Sequence, residues 1–230
     1  MPAAADDGAM TTARPAAGGG RWVRVPPERL ERWLDGFAGR HGPLRWDAAT
    51  EQVTVTAADG AVAELRVPFP PLAVSGQAPF GGLVEHARAE RVVGVVLVRL
   101  GGFAVGVFEG ERLRASKCGS RPVHGRAAAG GRSQRRFARR REGQARVALA
   151  AAADAAAAVL LPVAAELGAV VGGGDRRALA SVLADRRLAP LRALLAGDVL
   201  DVPEPRRAVL ESAPALFRAV RVRLPAREPA

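Results

Sequence analysis

The feature that most constrains the fold of this chain is a run of ten residues, 91–100 (RVVGVVLVRL). The run is almost continuously apolar and rich in valine, a residue that favours strands. A strand with an apolar side chain at nearly every position is typical of a sheet that is covered on both faces. We therefore expect residues 91–100 to form a buried strand.

The residues after this run predict a meander followed by alternating helices and strands. Turn signals at 101–102 (GG) and 109–110 (EG) separate strands expected at 103–108 and 111–118. A long helix follows from Gln134, then a short strand at 169–171, and further helices and strands that end with a strand at 219–224. This order predicts an α/β (α+β) fold in which helices flank a mixed sheet.

The chain before the run predicts a smaller unit made of a helix and a hairpin. Residues 28–40 place apolar side chains at helical spacing on one face, namely those of Leu30, Trp33, Leu34 and Phe37. Residues 51–57 and 61–67 alternate in polarity around an Asp-Gly turn, which is typical of a hairpin.

Composition sets the expected domain boundaries. Residues 1–20 are small, polar and glycine-rich, so we expect a disordered tail there. The proline-rich stretch 68–82 is interpreted as a linker. We therefore predict a small N-terminal α/β unit at 21–75 and a main domain at 83–226.

A glycine- and alanine-rich segment runs directly into the start of the long helix. Residues 124–144 read HGRAAAGGRSQRRFARRREGQ, and residues 135–141 contain five arginines. A solvated helix face explains this cluster poorly, because like charges at helical spacing repel unless an anion is present. Guanidinium forks suit phosphates, and the net charge of +11 is typical of a protein that binds nucleic acid or the ribosome.

Composition also excludes several classes of function. Aromatic residues make up 4% of the chain and tyrosine is absent, so RNA contact by stacked bases is not expected. Cys118 is the only cysteine, and no Cys/His cluster has zinc spacing, so we expect no metal and no cofactor. The glycines at 172–174 lack the nucleotide-binding fingerprints, and Asp175 is interpreted as a helix N-cap.

No membrane segment is expected from the apolar runs. The alanine-rich stretch 148–161 contains Asp154 and ends at Pro162, short of the ~18 residues of a spanning helix. The first residues include acids and lack an apolar core, unlike a signal peptide. Together with the lone cysteine, these features predict a cytoplasmic protein.

The order of elements and the motif at the helix start resemble the middle domain of eukaryotic and archaeal class I translation release factors. That domain has an RNase H-like topology and carries a GGQ loop before a basic helix reading RFxRxR. Here the loop is Gly130-Gly131-Arg132-Ser133-Gln134, and the helix reads RFARRR at 136–141. The family's glutamine aligns without gaps on Arg132, whereas the pattern 131–134 (GRSQ) resembles the Vms-like, VLRF-type branch, in a compact actinobacterial form.

The resemblance implies a peptidyl-tRNA hydrolase, a carboxylic ester hydrolase of ribosome-associated quality control. Gln134 would position the attacking water, with Gly131 and Ser133 beside it in the catalytic loop. A second group would bind RNA phosphates: Arg132, Arg135, Arg136, Arg139, Arg140 and Arg141, with Lys117, Arg121 and Arg126 on the way in. The implied partners are the large ribosomal subunit at its peptidyl-transferase centre, peptidyl-tRNA and rRNA, and the free protein is expected to be a monomer.

Two other functions remain open at this point. The displaced glutamine allows a non-catalytic ribosome- or RNA-binding module of the same fold. A nuclease would need carboxylates clustered at strand ends to hold metal ions, and the predicted strands carry few acids. His124 as a general base and Ser133 as a nucleophile have less support than water positioned by Gln134.

Overall fold

The computed structural model describes residues 14–16, 19–99, 101–120 and 133–226, without the side chains of 133–141. In this part of the chain the strands are β1 (Arg14–Pro15), β2 (Arg21–Val25), β3 (Leu44–Ala48), β4 (Gln52–Ala57), β5 (Val62–Arg66), β6 (Val92–Arg99), β7 (Gly102–Glu109), β8 (Arg112–Ser120), β9 (Ala169–Gly174) and β10 (Val220–Leu224). The α-helices are α1 (Leu30–His41), α2 (Leu83–Arg88), α3 (Ser133–Leu160), α4 (Arg176–Leu183), α5 (Ala189–Arg192), α6 (Arg207–Glu211) and α7 (Pro214–Phe217).

The chain forms two compact units. The first unit combines the residues up to Ala89 with those from Arg218 onward, and the second unit is Glu90–Phe217. The second unit is therefore inserted between two parts of the first.

The first unit is an antiparallel sheet with helices on one face. Its strands lie in the order β1-β2-β10-β5-β4-β3. Alternate residues point to a core shared with α1 and α2, and this core includes Val23, Val55, Leu65, Val222, Leu34 and Leu83. Because strand side chains alternate between faces, the polar residues between these positions form the second face of the sheet.

The second unit is a mixed sheet in the order β8-β7-β6-β9. β6, β7 and β8 form the expected antiparallel meander, and β9 pairs parallel to β6. The segment after α5 continues the sheet beside β9 through parallel bridges at Leu195 and Leu200.

Helices cover both faces of this sheet. Val105 and Val107 of β7 pack in one core with residues of α3 and α4. On the opposite face, the ring of Phe108 lies 5.8 Å from that of Phe217 in α7. The predicted α/β fold, an RNase H-like mixed sheet flanked by helices, is confirmed, and the apolar run is its buried central strand β6.

Three glycines end β9 because neighbouring atoms leave no room for side chains. A Cβ on Gly172 would lie 2.2 Å from Cδ2 of Leu179 in α4, and one on Gly173 would lie 2.6 Å from Cδ2 of Leu97. Asp175 follows and caps α4, with Oδ1 accepting a hydrogen bond of 2.8 Å from the Ala178 amide. The glycines therefore give close packing, and Asp175 is the N-cap that the sequence predicts.

The structure departs from the predicted domain boundaries in two places. The stretch 68–82 contributes the buried Leu72 to the core of the first unit, and α2 adds Leu83, Val84 and Ala87 to the same core. The predicted strand at 219–224 is β10, which pairs with β2 and β5 of the first unit rather than joining the main sheet. The range 83–226 therefore includes elements of both units.

Smaller differences concern short elements. Residues 14–15, predicted within the disordered tail, pair as β1 with β2, and most of the remaining tail lies outside the described residues. The sequence analysis missed β2 and β3. After α5, Leu200 joins the sheet only through a bridge, and two short helices, α6 and α7, follow before β10.

One helix is long and apolar enough to cross a membrane by length and composition alone. This segment is Glu142–Val163, with a mean hydropathy of 1.7 over its most apolar window. The sequence analysis expected a shorter apolar stretch, because it counted residues 148–161, with Asp154 inside and Pro162 at the end. Alanines of the segment, among them Ala152 and Ala156, pack in the core of the second unit.

We expect Gly174→Ala to destabilise the second unit. Gly174 has φ +94°, and an added Cβ would lie 2.2 Å from the carbonyl oxygen of Val98. Backbone strain and this clash predict a loss of about 2–3 kcal/mol in the free energy of unfolding, which urea denaturation measures. Gly143→Ala is the control: its Cβ would meet nothing within 4 Å in α3, so stability should rise by up to ~1 kcal/mol. Equal midpoints for the two variants would contradict this packing.

Candidate functional site

The candidate site lies where β8 ends and α3 begins. β8 is described to Ser120 and α3 from Ser133. The predicted site residues Arg121, Arg126, Gly131 and Arg132 lie outside the described residues, as does His124. The structure thus fixes the two elements on either side of the predicted catalytic loop.

Gln134 lies in the first turn of α3, because the helix begins at Ser133. The sequence analysis counted this glutamine both as the last residue of the loop and as the first residue of the helix. The first four backbone N–H groups of a helix have no partner within the helix, and the helix dipole gives this end a partial positive charge. Gln134 therefore stands beside backbone donors suited to an oxyanion or a phosphate.

The charges on α3 do not follow the preference of the helix dipole, which favours acidic residues near the start of a helix and basic residues near its end. The helix has no acidic residue in its first turn and no basic residue in its last turn. Arg135 and Arg139, like Arg136 and Arg140, are four residues apart, a spacing at which like charges destabilise a helix. An anion bound at this end would relieve both the repulsion between arginines and their unfavourable interaction with the dipole.

Small residues hold the other half of α3 against the sheet. Ala152, Ala155 and Ala156 are fully buried in the core of the second unit. Leu160, at the end of the helix, packs over Gly94 of β6, where an added Cβ would lie 3.2 Å from Leu160 Cδ2. Alanine and glycine let helix and strand approach closely, so that the direction of α3 is fixed by its C-terminal half.

An ion pair links the exposed side of α3 to a neighbouring short helix. Arg187, in the short helix after α4, donates to Asp154 of α3 at 2.7 Å and to Asp185 at 2.8 Å. Hydrogen bonds to these carboxylates raise the pKa of Arg187, and the side-chain hydrogen bond from Arg187 lowers the pKa of Asp185 to about 2. The exposed pair contributes little to the free energy of folding in water. It joins α3 to the residues that directly follow α4.

Of the predicted RNA-binding residues, Lys117 is the one whose side chain is among those that the structure describes. It lies on β8 opposite Val105, whose side chain packs in the core that β7 shares with α3. Cross-strand partners share a face, so Lys117 is exposed on the same face of the sheet as α3. Its role in binding phosphate stays a prediction.

The nearby arginines of β8 have acidic partners. Arg114 donates to Glu166 at 2.8 Å, and this hydrogen bond raises the pKa of Arg114. Arg112 donates to Glu109 across the turn from β7, which lowers the pKa of that carboxyl. The charge of these two arginines is thus compensated locally.

Cys118 lies on the face of the sheet opposite to Lys117. Burial raises the pKa of its thiol, the nearby Arg207 offsets part of that rise, and the residue is a free cysteine. A raised pKa favours the protonated thiol, which is a weak nucleophile. Among the residues that the structure describes, no group of three His, Cys, Asp or Glu side chains is placed to hold a metal ion.

Comparison with known proteins identifies the family. The family model for the Actinobacteria/chloroflexi VLRF1 release factor matches residues 91–223. The match covers more than half of the chain, so the chain belongs to this family, and the resemblance to VLRF-type release factors is confirmed. No curated protein matches the chain in sequence.

Among solved structures, the chain is similar to the crystal structure of the archaeal translation termination factor aRF1. The TM-score is 0.42 and the sequence identity is 14%. The similarity covers 86% of this chain and 66% of that chain.

We expect Ala155→Leu to destabilise the second unit by about 1–3 kcal/mol, because a larger side chain overpacks the contact between α3 and the sheet. Ala155 is fully buried, whereas Ala158, one turn along, is exposed. Ala158→Leu is therefore the matched control and should leave the free energy of unfolding within about 0.5 kcal/mol of that of the parent protein. Chemical denaturation followed by circular dichroism measures both, and equal stability of the two variants would show that α3 is not held by close packing.

Proposed function

We propose that this VLRF1 release factor family member is a peptidyl-tRNA hydrolase, which frees nascent chains from stalled ribosomes or large ribosomal subunits in ribosome-associated quality control. The observation that carries the proposal is the position of the Gly-Gly-Arg-Ser-Gln segment, which follows β8 in the chain and ends in the first turn of α3. The family match spans β8, this segment and α3. A glutamine in the first turn of a long, positively charged helix is suited to a probe that enters an RNA-lined site.

The proposed reaction is hydrolysis of the ester that joins the peptide to the terminal adenosine of tRNA. The oxygen of water attacks the ester carbonyl, the bond to the ribose oxygen breaks, and a proton of the water passes to that oxygen. The Gln134 amide orients the water, and Gly131 and Ser133 shape the segment around it. Backbone N–H groups of the first turn of α3 donate to the developing oxyanion.

The arginines provide binding rather than chemistry. Arg135, Arg136, Arg139 and Arg140 follow Gln134 along α3, and Arg132 precedes it. Arginine forks bind phosphate oxygens of rRNA or tRNA in pairs. Arg141, Lys117, Arg121 and Arg126 would extend the same contact. Binding energy from these contacts would hold the glutamine beside the ester.

The proposed partners follow from this reaction. They are the large subunit at its peptidyl-transferase centre, peptidyl-tRNA and rRNA, met in the cytoplasm by a monomeric protein. The mechanism uses a side-chain amide, backbone N–H groups and water, so it needs no cofactor and no membrane.

We expect Gln134→Ala to lower the rate of peptide release about 100-fold, since the group that orients the water is lost. Ribosome binding should be unchanged. The measurement mixes large subunits that carry labelled peptidyl-tRNA with each protein and follows released peptide and bound protein in parallel.

Gln144→Ala is the matched control, because it removes the same side chain ten residues further along α3. It should leave the release rate within about twofold of that of the parent protein. Full release by Gln134→Ala would remove this glutamine from the mechanism. Binding without release by the unaltered protein would make the chain a ribosome-anchoring module, the alternative that the displaced glutamine leaves open.

We expect Arg139→Gln/Arg140→Gln to weaken binding to the large subunit in a salt-dependent way. Each lost phosphate contact should lower the slope of log affinity against log salt by about 0.9. Arg176→Gln/Arg177→Gln removes the same charge from the exposed start of α4 and is the control. Binding titrations over a range of KCl concentrations measure both slopes. Equal losses for the two pairs would mean that overall charge, rather than α3, governs binding.

A further inference from the structure

Strand β3 forms one edge of the sheet of the first unit. It is the last strand in the order β1-β2-β10-β5-β4-β3, so among the described residues β4 is its one partner strand. An edge strand presents unpaired backbone N–H and C=O groups, on which another strand can pair. At the opposite edge, β1 has two residues, whereas β3 has five. β3 is therefore the longer open edge of this sheet.

The hydrogen bonds between β3 and β4 show which backbone groups of β3 face outward. The Ala49 N–H, at the end of this ladder, donates to the Gln52 carbonyl at 2.8 Å. Hydrogen-bonded and non-hydrogen-bonded pairs alternate along an antiparallel ladder. Counting back from Ala49, every second residue bonds to β4. The backbone groups of the residues between them, Leu44, Trp46 and Ala48, therefore point toward the open edge.

The same three residues carry the apolar side chains of β3. Leu44 and Ala48 are half-buried against the core of the first unit, whereas Trp46, between them, is 36% exposed. Val74, which is 46% exposed, lies beside this strand. A Cβ added to Gly81 would lie 2.5 Å from the Cβ of Ala48 and 3.6 Å from Cγ1 of Val74. Exposed apolar groups beside open backbone groups are typical of an interaction surface.

The other two residues of β3 have opposite charges. Arg45 and Asp47 are exposed on the second face of the sheet, which points away from the core. Their partners across the ladder in β4 are Thr56 and Thr54, which are uncharged. The cross-strand positions of β4 therefore compensate neither charge.

The sequence of β3, LRWDA, is complementary to itself when it is read in the opposite direction. When two copies of β3 lie antiparallel with Trp46 opposite Trp46, Arg45 of each copy lies opposite Asp47 of the other. Leu44 of each copy then lies opposite Ala48 of the other. The apolar residues share one face, and the charged pairs lie at the non-hydrogen-bonded positions, where side chains are closest.

We propose that β3 pairs antiparallel with β3 of a second copy of this chain, which joins the two sheets across a two-fold axis. Leu44, Trp46 and Ala48 exchange both backbone hydrogen bonds with the residues opposite them. Opposite charges facing each other across strands stabilise a pair, and like charges destabilise it. A parallel pairing in the same register would place arginine beside arginine, so the charges select the antiparallel, two-fold arrangement.

The size of this contact makes the dimer a weak one. Five residues on each side are far fewer than the ~20–30 residues a side of a stable interface. The dimer therefore dissociates on dilution, with a dissociation constant of about 10–100 μM. The monomer of the proposed function is then the form that prevails at low concentration and meets the ribosome. The pairing does not depend on peptide release, so each proposal can fail without the other.

The test is sedimentation velocity of the full chain over about 5–500 μM, a range that spans this dissociation constant. We expect the sedimentation coefficient of the parent protein to rise with concentration. Arg45→Asp places Asp opposite Asp, and Asp47→Arg places Arg opposite Arg. Each variant alone should therefore associate at least about tenfold more weakly than the parent protein.

An equal mixture of the two variants should associate like the parent protein, because each Asp of one chain then lies opposite an Arg of the other. Such recovery separates lost pairing from lost folding, since neither chain is altered by mixing. Arg32→Asp is the matched control, because it makes the same change of charge at an exposed position of α1. It should leave the dissociation constant within about twofold of that of the parent protein.

Three results would overturn the proposal. They are a mixture that associates no better than its components, unchanged association of the two single variants, and an equal loss of association in Arg32→Asp. A parent protein that stays monomeric at every concentration would overturn it as well. Arg45 and Asp47 would then have the opposite role, which is to keep other strands from pairing with an open edge.

Discussion

Close packing between α3 and the sheet of the second unit is the constraint on which the arrangement of the site depends. Ala152, Ala155 and Ala156 are fully buried, so little side-chain volume separates the helix from the strands. Contacts this close tolerate little change in volume. The C-terminal half of α3, which carries no arginines, thus sets the direction of the half that carries them.

The N-terminal end of α3 is electrostatically unfavourable when no anion is bound to it. Arginines crowd the positive end of the helix dipole, and the first turn has no acid to balance them. Proteins keep such local conflicts chiefly where function requires them. The buried alanines of α3 and the valines of β6 and β7 stabilise the second unit. The charges at the start of α3 can therefore suit an anionic ligand even though they disfavour the helix itself.

Much of this fold follows from sequence pattern. The apolar run of β6, the turns at 101–102 and 109–110, the long helix and the cap at Asp175 are all local signals, and the structure confirms them. Local sequence does not determine which strands β10 pairs with, because a strand of alternating polarity can join any sheet that has room for it. The tertiary structure places β10 between β2 and β5. The same limit applies to the cross-strand neighbours Arg24, Arg221 and Arg66, because these residues are far apart in sequence. At the candidate site, the arginines and Gln134 are visible as a motif, and their roles rest on chemistry that only assays can measure.

The position of β10 also has a consequence for synthesis. It lies between β2 and β5 in the sheet of the first unit, yet it is separated from β5 in the chain by the whole second unit. While the ribosome is still translating residues 90–217, the first unit has an open gap in the middle of its sheet, with Val23 and Leu65 lacking the neighbours they have in the finished protein. The second unit, whose strands and helices are contiguous in sequence, can fold first.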